Sequence, residues 1–241
     1  ADAFKFPSMA AYRAAVQAAR PALNVAPLVG HTTLRFAAMG ADLARPASAD
    51  ERAHMAQLLE ACMQDGAFGL SSGLFYDEAM AAPASEVTEL ARVAARHGGV
   101  YATHLRSEMQ AIIEALHEAG DCAFEAGLPL VISHHKCAGP ANWGRTRETL
   151  PLIDQLGQRQ PIAMDVYPYL AGSTVLREDL VDGVIEVLIT WSEPHPETAG
   201  RALAAVAAEW GTTQQEAARR IKPGGACYFQ MDSADVDRVI A

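Results

Sequence analysis

No stretch of this sequence approaches the roughly 20 consecutive apolar residues that a membrane-crossing helix requires. Residues 1–6 also lack a basic region followed by an apolar core, so neither membrane insertion nor export is expected. Positive charge is scarce: 19 Lys and Arg stand against 29 Asp and Glu, for a formal net charge of -10. Displacing counterions from phosphates takes concentrated Lys and Arg, so no nucleic-acid partner is expected. Cysteine is sparse too. Cys62, Cys122, Cys137 and Cys227 lie far apart, with no Cys-x-x-Cys pair. That argues against a small disulfide scaffold and for reduced, mostly buried thiols. An acidic cytoplasmic enzyme fits these absences. The chain also opens without Met and stops abruptly after Val239, Ile240 and Ala241, which raises the expectation of a piece of a longer protein.

What is present is apolar and periodic. With 241 residues, 50% hydrophobic and 20% charged, the chain has enough material for one large α/β domain or two small ones. Five segments rich in β-branched and apolar residues, at 23–31, 68–74, 100–106, 129–136 and 162–169, alternate with amphipathic stretches of helical length. That alternation implies parallel strands joined by crossover helices. Helix starts are expected at Asp50, ahead of Met55, Leu58, Leu59 and Cys62, and at Ser85, ahead of Val87, Leu90 and Val93. A third is expected at a Ser107/Gln110 capping box ahead of Ile112, Ile113 and Leu116.

Beyond Tyr169 the texture changes. A sixth strand is expected at 184–191, helices at 196–210 and 213–221 with a Thr213/Glu216 capping box, an extended run at 226–231, and a short helix started by Ser233. No low-complexity linker divides the chain, so 1–241 is read as one barrel portion. The spacing between strands matches a βα unit, and an eight-fold barrel takes about 250 residues or more. The expected fold class is therefore α/β, part of a (β/α)8 TIM-type barrel left incomplete in this chain.

Reactive side chains fall at the C-terminal ends of the expected strands, where a parallel barrel gathers its active site. They are His31, Ser71 and Ser72, His104 with Arg106, His134 with His135 and Lys136, and Asp165 with Tyr167 and Tyr169. His104 and His134, on adjacent strands, are placed to share a metal. Zinc leads because neutral imidazole suits it and because it polarises a carbonyl and acidifies bound water. No His-x-His pair, no Glu-x-x-His and no obviously placed Asp supplies a further ligand or a base. His135 should alternate to the other strand face. His31, Ser71 and Ser72 read as site lining, and Gly69 and Gly73 as places of close backbone packing.

Five ordered motifs then resemble the D-aminoacylases of the amidohydrolase superfamily. They are Asn24 through Arg35 with its Gly-His31-Thr-Thr, Gly69 through Tyr76, Thr103-His104-Leu-Arg106-Ser-Glu108, Ser133-His134-His135-Lys136, and Asp165 through Thr174. The resemblance continues through 189–197 and 223–229. It implies zinc binding by His104 and His134, a grip on the substrate carboxylate by Arg106 and Lys136, and roles at the scissile carbonyl or in holding substrate for Tyr167 and Ser173. It also implies hydrolysis of an N-acyl-D-amino acid, a small-molecule substrate. The family's His-x-His motif, bridging Cys and Gly-Ser-Asp-Gly motif are not in these residues, so the segment alone is expected to show little activity. Two other readings stand beside this one: a metal-dependent amidohydrolase acting on cyclic amides, and a non-catalytic metal-binding scaffold.

Overall fold

Each of the five expected strand segments contains a strand, shorter than its apolar run suggests. The computed structural model describes residues 6–241, so of the 1–6 run read for a leader only Phe6 lies within the described residues. The strands are β1 (Leu28–Gly30), β2 (Gly69–Gly73), β3 (Val100–His104), β4 (Leu130–Ile132) and β5 (Ile162–Met164). They pair in the order β1-β2-β3-β4-β5, every neighbour parallel. An unforeseen α1 (Met9–Ala19), capped by Ser8, leads into the sheet. Then α2 (His31–Met39) and α3 (Ala49–Gln64) join β1 to β2, while α4 (Asp77–Met80) and α5 (Ala84–Arg96) join β2 to β3. Next, α6 (Ile112–Ala126) joins β3 to β4, and α7 (Thr146–Gly157) precedes β5. Sequential parallel strands with helical crossovers are the arc of a (β/α)8 barrel.

Local chemistry explains these elements. In β3, Tyr101, Ala102 and Thr103 are all buried, as expected of a strand covered on both faces. A Cβ at Gly69 would run into the Val100 backbone, so the tight approach of β2 to β3 requires glycine there. The buried faces of α5 (Val87, Leu90, Ala91, Ala94) and α6 (Ile112, Ala115, Leu116, Ala119, Ala123) follow helical spacing. Fully burying one Leu or Ile contributes about 1.5–3 kcal/mol.

Helix starts differ from the expected ones. The α3 cap is Ser48, in a reciprocal capping box with Glu51, rather than Asp50. The start of α5 is Ala84, with Pro83 at the cap position rather than Ser85. The Ser107/Gln110 box does not cap α6: the helix begins at Ile112 after Ala111, and Ser107 Oγ accepts the Met109 N–H at 3.2 Å. Residues 105–111 instead form a loop that carries Arg106 to Glu118 and Glu108 to two histidines.

The chain divides into two compact units, one made of the described residues through His135 with Glu148–Asp165, the other of Lys136–Arg147 with Val166–Ala241. The second unit holds an antiparallel sheet of β6 (Gly172–Val175), β7 (Val187–Ser192) and β8 (Gly224–Tyr228), ordered β6-β8-β7. With it come α8 (Leu203–Glu209), α9 (Gln214–Ile221) and α10 (Ser233–Ile240). The expected sixth barrel strand is β7, and it pairs antiparallel with β8 rather than extending the parallel sheet. Its burial is one-sided at the start, with Val187 and Ile189 inward, which is the pattern of a two-layer antiparallel strand. The expected 196–210 helix breaks into a short 3-10 turn at Pro196–Thr198 and then α8. Thr213 caps α9 by accepting the Glu216 N–H, one half of the expected box, while the Glu216 carboxylate takes Arg219 and Arg220 instead, and Asp232 rather than Ser233 caps α10. Residues 136–147 are tied to the end of the chain. Gln230 O accepts Gly139 N at 2.8 Å and Trp143 Nε1 at 3.0 Å, and Asp235 accepts Gly144 N at 2.6 Å. No helix among the described residues is long and apolar enough to cross a membrane.

Candidate metal centre

The ends of β3 and β4 bring His104 and His134 together. His104 is the last residue of β3, whereas β4 ends at Ile132 and His134 lies just beyond it with a φ of 40°. A non-glycine residue in the left-handed region carries strain of about 1–3 kcal/mol and persists only when its surroundings hold it there. Asp165 supplies the hold: its Oδ1 accepts the His134 N–H at 2.5 Å and its carbonyl accepts the His135 N–H at 2.8 Å. With that turn made, the His104 and His134 ring centroids are 4.7 Å apart, and His104 Nδ1 is 3.1 Å from His134 Nε2. His135 is buried, with its Nε2 at 2.8 Å from Thr149 Oγ1.

A third donor joins them. The buried Glu108 places Oε1 at 3.2 Å from His134 Nδ1 and Oε2 at 3.7 Å from His104 Nε2. Among the described residues, His104, Glu108 and His134 offer ligand atoms that all lie within 4.8 Å of one another. Two imidazoles and a carboxylate are the donor types of a catalytic zinc site, so the residues present fit that metal. Glu108 went unnoticed as a donor in the sequence because it lies in no ligand-spaced pair. The one available signal was its place four residues after His104 in a strand-end loop.

An aromatic wall backs His104. The rings of Phe75 and Tyr76 stand 5.5 Å and 5.3 Å from the His104 ring, and 5.5 Å from each other. Gly73, opposite His104 in the β2–β3 register, permits this: a Cβ there would come within 3.0 Å of the Tyr76 ring. On β3, Thr103 Oγ1 donates to the His104 carbonyl at 3.0 Å, and Ser72 Oγ lies 2.8 Å from Thr103 Oγ1 and 2.7 Å from the Tyr101 hydroxyl. Burial pushes the Tyr101 phenol well above its ordinary pKa and keeps it a neutral partner.

The remaining expected residues fall as follows. Arg106 is engaged by protein groups: Nε and Nη2 donate to the two Glu118 carboxylate oxygens at 2.8 and 2.7 Å, Nη1 to Met80 O at 2.8 Å, and Nη2 to Ala82 O at 2.9 Å. The Glu118 hydrogen bonds, offset in part by burial, raise the Arg106 pKa. Lys136, Tyr167 and Ser173 belong to the second unit. There Lys136 is buried, with Nζ 5.5 Å from the centre of the Tyr167 ring, and that ring stacks on Tyr169 at 6.1 Å. The Tyr167 hydroxyl lies against Gly172, and Ser173 is exposed on β6 opposite Cys227. His31, read as site lining, is instead fully buried, with Nε2 at 2.9 Å from Glu86 Oε1. Its strand ends at Gly30 and the residue opens α2 directly, so its ring turns into the helix layer.

No known family profile matches the chain. A D-aminoacylase from Alcaligenes xylosoxydans xylosoxydans is 45% identical over 238 residues, covering 99% of this chain and 49% of the relative. An N-acyl-D-glutamate deacylase from the same organism is 43% identical over 239 residues, with the same coverages of 99% and 49%. Among solved structures, a D-aminoacylase described as defining a novel subset of amidohydrolases superposes with a TM-score of 0.94 at 45% identity, over 98% of this chain and 50% of that one. The N-acyl-D-glutamate deacylase of Bordetella bronchiseptica, complexed with zinc and a phosphonate mimic of the tetrahedral intermediate, gives 0.93 at 42% identity over 98% and 50%. The chain spans about half the length of the curated relatives it matches.

Proposed function

We propose, for a chain that belongs to the N-acyl-D-amino-acid deacylases of the amidohydrolase superfamily, that its protein hydrolyses N-acyl-D-amino acids. The products are the free D-amino acid and a carboxylate. Residues 1–241 are taken as the central portion of the catalytic barrel domain. The observation that carries the reading is the convergence of His104, Glu108 and His134 within 4.8 Å at the ends of parallel barrel strands.

His104, Glu108 and His134 are the residues that would hold zinc. When bound, the metal polarises the amide carbonyl and lowers the pKa of water to about 7. The chain's own residues supply the rest. Asp165 fixes the His134 turn, and Phe75 with Tyr76 shields one side of His104 from water. Lys136 is proposed to pair with the substrate α-carboxylate. Tyr167 is proposed to donate its hydroxyl to the oxyanion that grows during attack, and Ser173 to hold the substrate. A cytoplasmic setting belongs to the same proposal, supported by four cysteines with no disulfide between them.

A substrate panel tests the reading. The intact protein is expected to cleave N-acyl-D-amino acids with strict preference over their L-enantiomers and over cyclic amides. Turnover of cyclic amides with no D-preference would move it to another amidohydrolase class.

A further inference from the structure

The aromatic wall on His104 is held by a device separate from the wall itself. Tyr76 is the cap residue of α4, and its carbonyl accepts the N–H groups of Ala79 and Met80 at 2.9 and 2.8 Å. Phe75 and Tyr76 are thus one helical turn from the end of that helix. The last carbonyls of a helix have no partner within it, and here arginines satisfy them. Arg35 Nε donates to Glu78 O at 3.0 Å and Arg106 to Met80 O at 2.8 Å, and just past the helix Arg106 also donates to Ala82 O at 2.9 Å. Arg106 itself cannot swing freely, because both oxygens of Glu118 on α6 take its Nε and Nη2 protons. A bidentate, charge-assisted pair is among the stronger side-chain contacts and fixes orientation as well as charge.

We infer that Arg106, braced by Glu118, is a positioning residue: it fixes the α4 turn so that Phe75 and Tyr76 pack on His104, and it is not the receptor of the substrate carboxylate. Four of the five guanidinium N–H groups are taken, so a substrate carboxylate could grip Arg106 with two hydrogen bonds only by displacing Glu118 or one of the carbonyls of Met80 and Ala82. The inference rests on the deacylase reading for its kinetic readout alone; its metal-binding readout stands without it.

Glu118→Gln in the intact protein separates the two roles, since it removes the brace while leaving the Arg106 charge in place. For a positioning residue, zinc affinity measured by chelator competition falls by about tenfold, the low end for partners that orient a ligand. With zinc saturating, kcat falls while KM for an N-acyl-D-amino acid stays within about twofold. For a carboxylate receptor, freeing Arg106 from Glu118 would leave zinc affinity unchanged and lower KM, and that result overturns the proposal. Arg106→Lys gives a second arm. One ammonium cannot span Glu118 and two carbonyls, so positioning predicts the same zinc loss as in Glu118→Gln. Wild-type zinc affinity in Arg106→Lys would count against the inference. If the wild-type protein cleaves neither acyl amino acids nor cyclic amides, the deacylase reading fails, and the zinc measurements still decide the role of Arg106.

Discussion

Glu86 is fully buried among three donors that favour its charged form: His31 Nε2 at 2.9 Å, Arg35 Nη1 at 2.5 Å and the Ala47 N–H at 3.0 Å. Burial alone would raise its pKa. The bonds from His31, Ala47 and Arg35 together outweigh burial and hold the carboxyl at about 2, against an ordinary 4.5. A folded-state pKa below the unfolded one contributes stability that is complete above the unfolded value and is lost as pH falls through the folded one. Glu86→Gln leaves Arg35 buried without its counter-charge and is expected to cost about 3–5 kcal/mol in urea unfolding at neutral pH. The gap to the wild type should narrow as pH drops below about 4.5; an equal gap at pH 3 and pH 7 contradicts this account. Asp165→Ala removes the acceptor that holds His134 in its left-handed turn, so zinc affinity by chelator competition should fall about 10–100-fold with little change in fold.

At this scale His104 and His134 were legible, because an imidazole at each of two successive strand ends has one place to point. Glu108 was not. Its approach to both rings depends on a loop whose path is set by tertiary bonds, and no spacing rule encodes that path. The same holds for the Arg106–Glu118 pair, formed between a loop and a helix 12 residues on.

Among the elements, parallel strands joined by helical crossovers advertise themselves as short apolar runs alternating with amphipathic stretches, and β1 through β5 were readable for that reason. Their ends were not: the run read as 129–136 takes in the polar Ser133 to Lys136, whereas β4 ends at Ile132 and the backbone turns at His134. The antiparallel sheet was legible only in part: the strand expected at 184–191 and the extended run at 226–231 overlap β7 and β8, whereas β6 and the antiparallel pairing were not foreseen. Gly172-Ser-Thr-Val175 carries a weak strand signal and pairs with Gly224–Tyr228 across 50 or more residues of chain, Ser173 with Cys227 among them. Helix caps give a direct test of which local signals the fold uses. Ser48 forms both halves of its capping box with Glu51, whereas Ser107 caps no helix. Ser48→Ala should cost about 1 kcal/mol, and Ser107→Ala should stay within about 0.5 kcal/mol, both read from denaturant midpoints. Equal losses at the two sites would show that the cap at Ser48 contributes nothing special.

For the whole molecule, the parallel sheet, the His-Glu-His cluster and the likeness to a deacylase structure complexed with zinc support the proposed chemistry together. Relatives about twice as long are 45% and 43% identical to this chain over 99% of its length. The 241 residues purified alone are expected to hydrolyse N-acyl-D-amino acids far more slowly than the intact protein. Comparable turnover by the two would show that the segment is a sufficient catalyst. The most direct test of the central claim is the zinc content of the intact protein before and after His104→Asn. Loss of tightly held zinc together with loss of N-acyl-D-amino-acid hydrolysis is the predicted result. Unchanged zinc content and unchanged turnover would contradict the assignment of His104, and with it the cluster on which the proposed function stands.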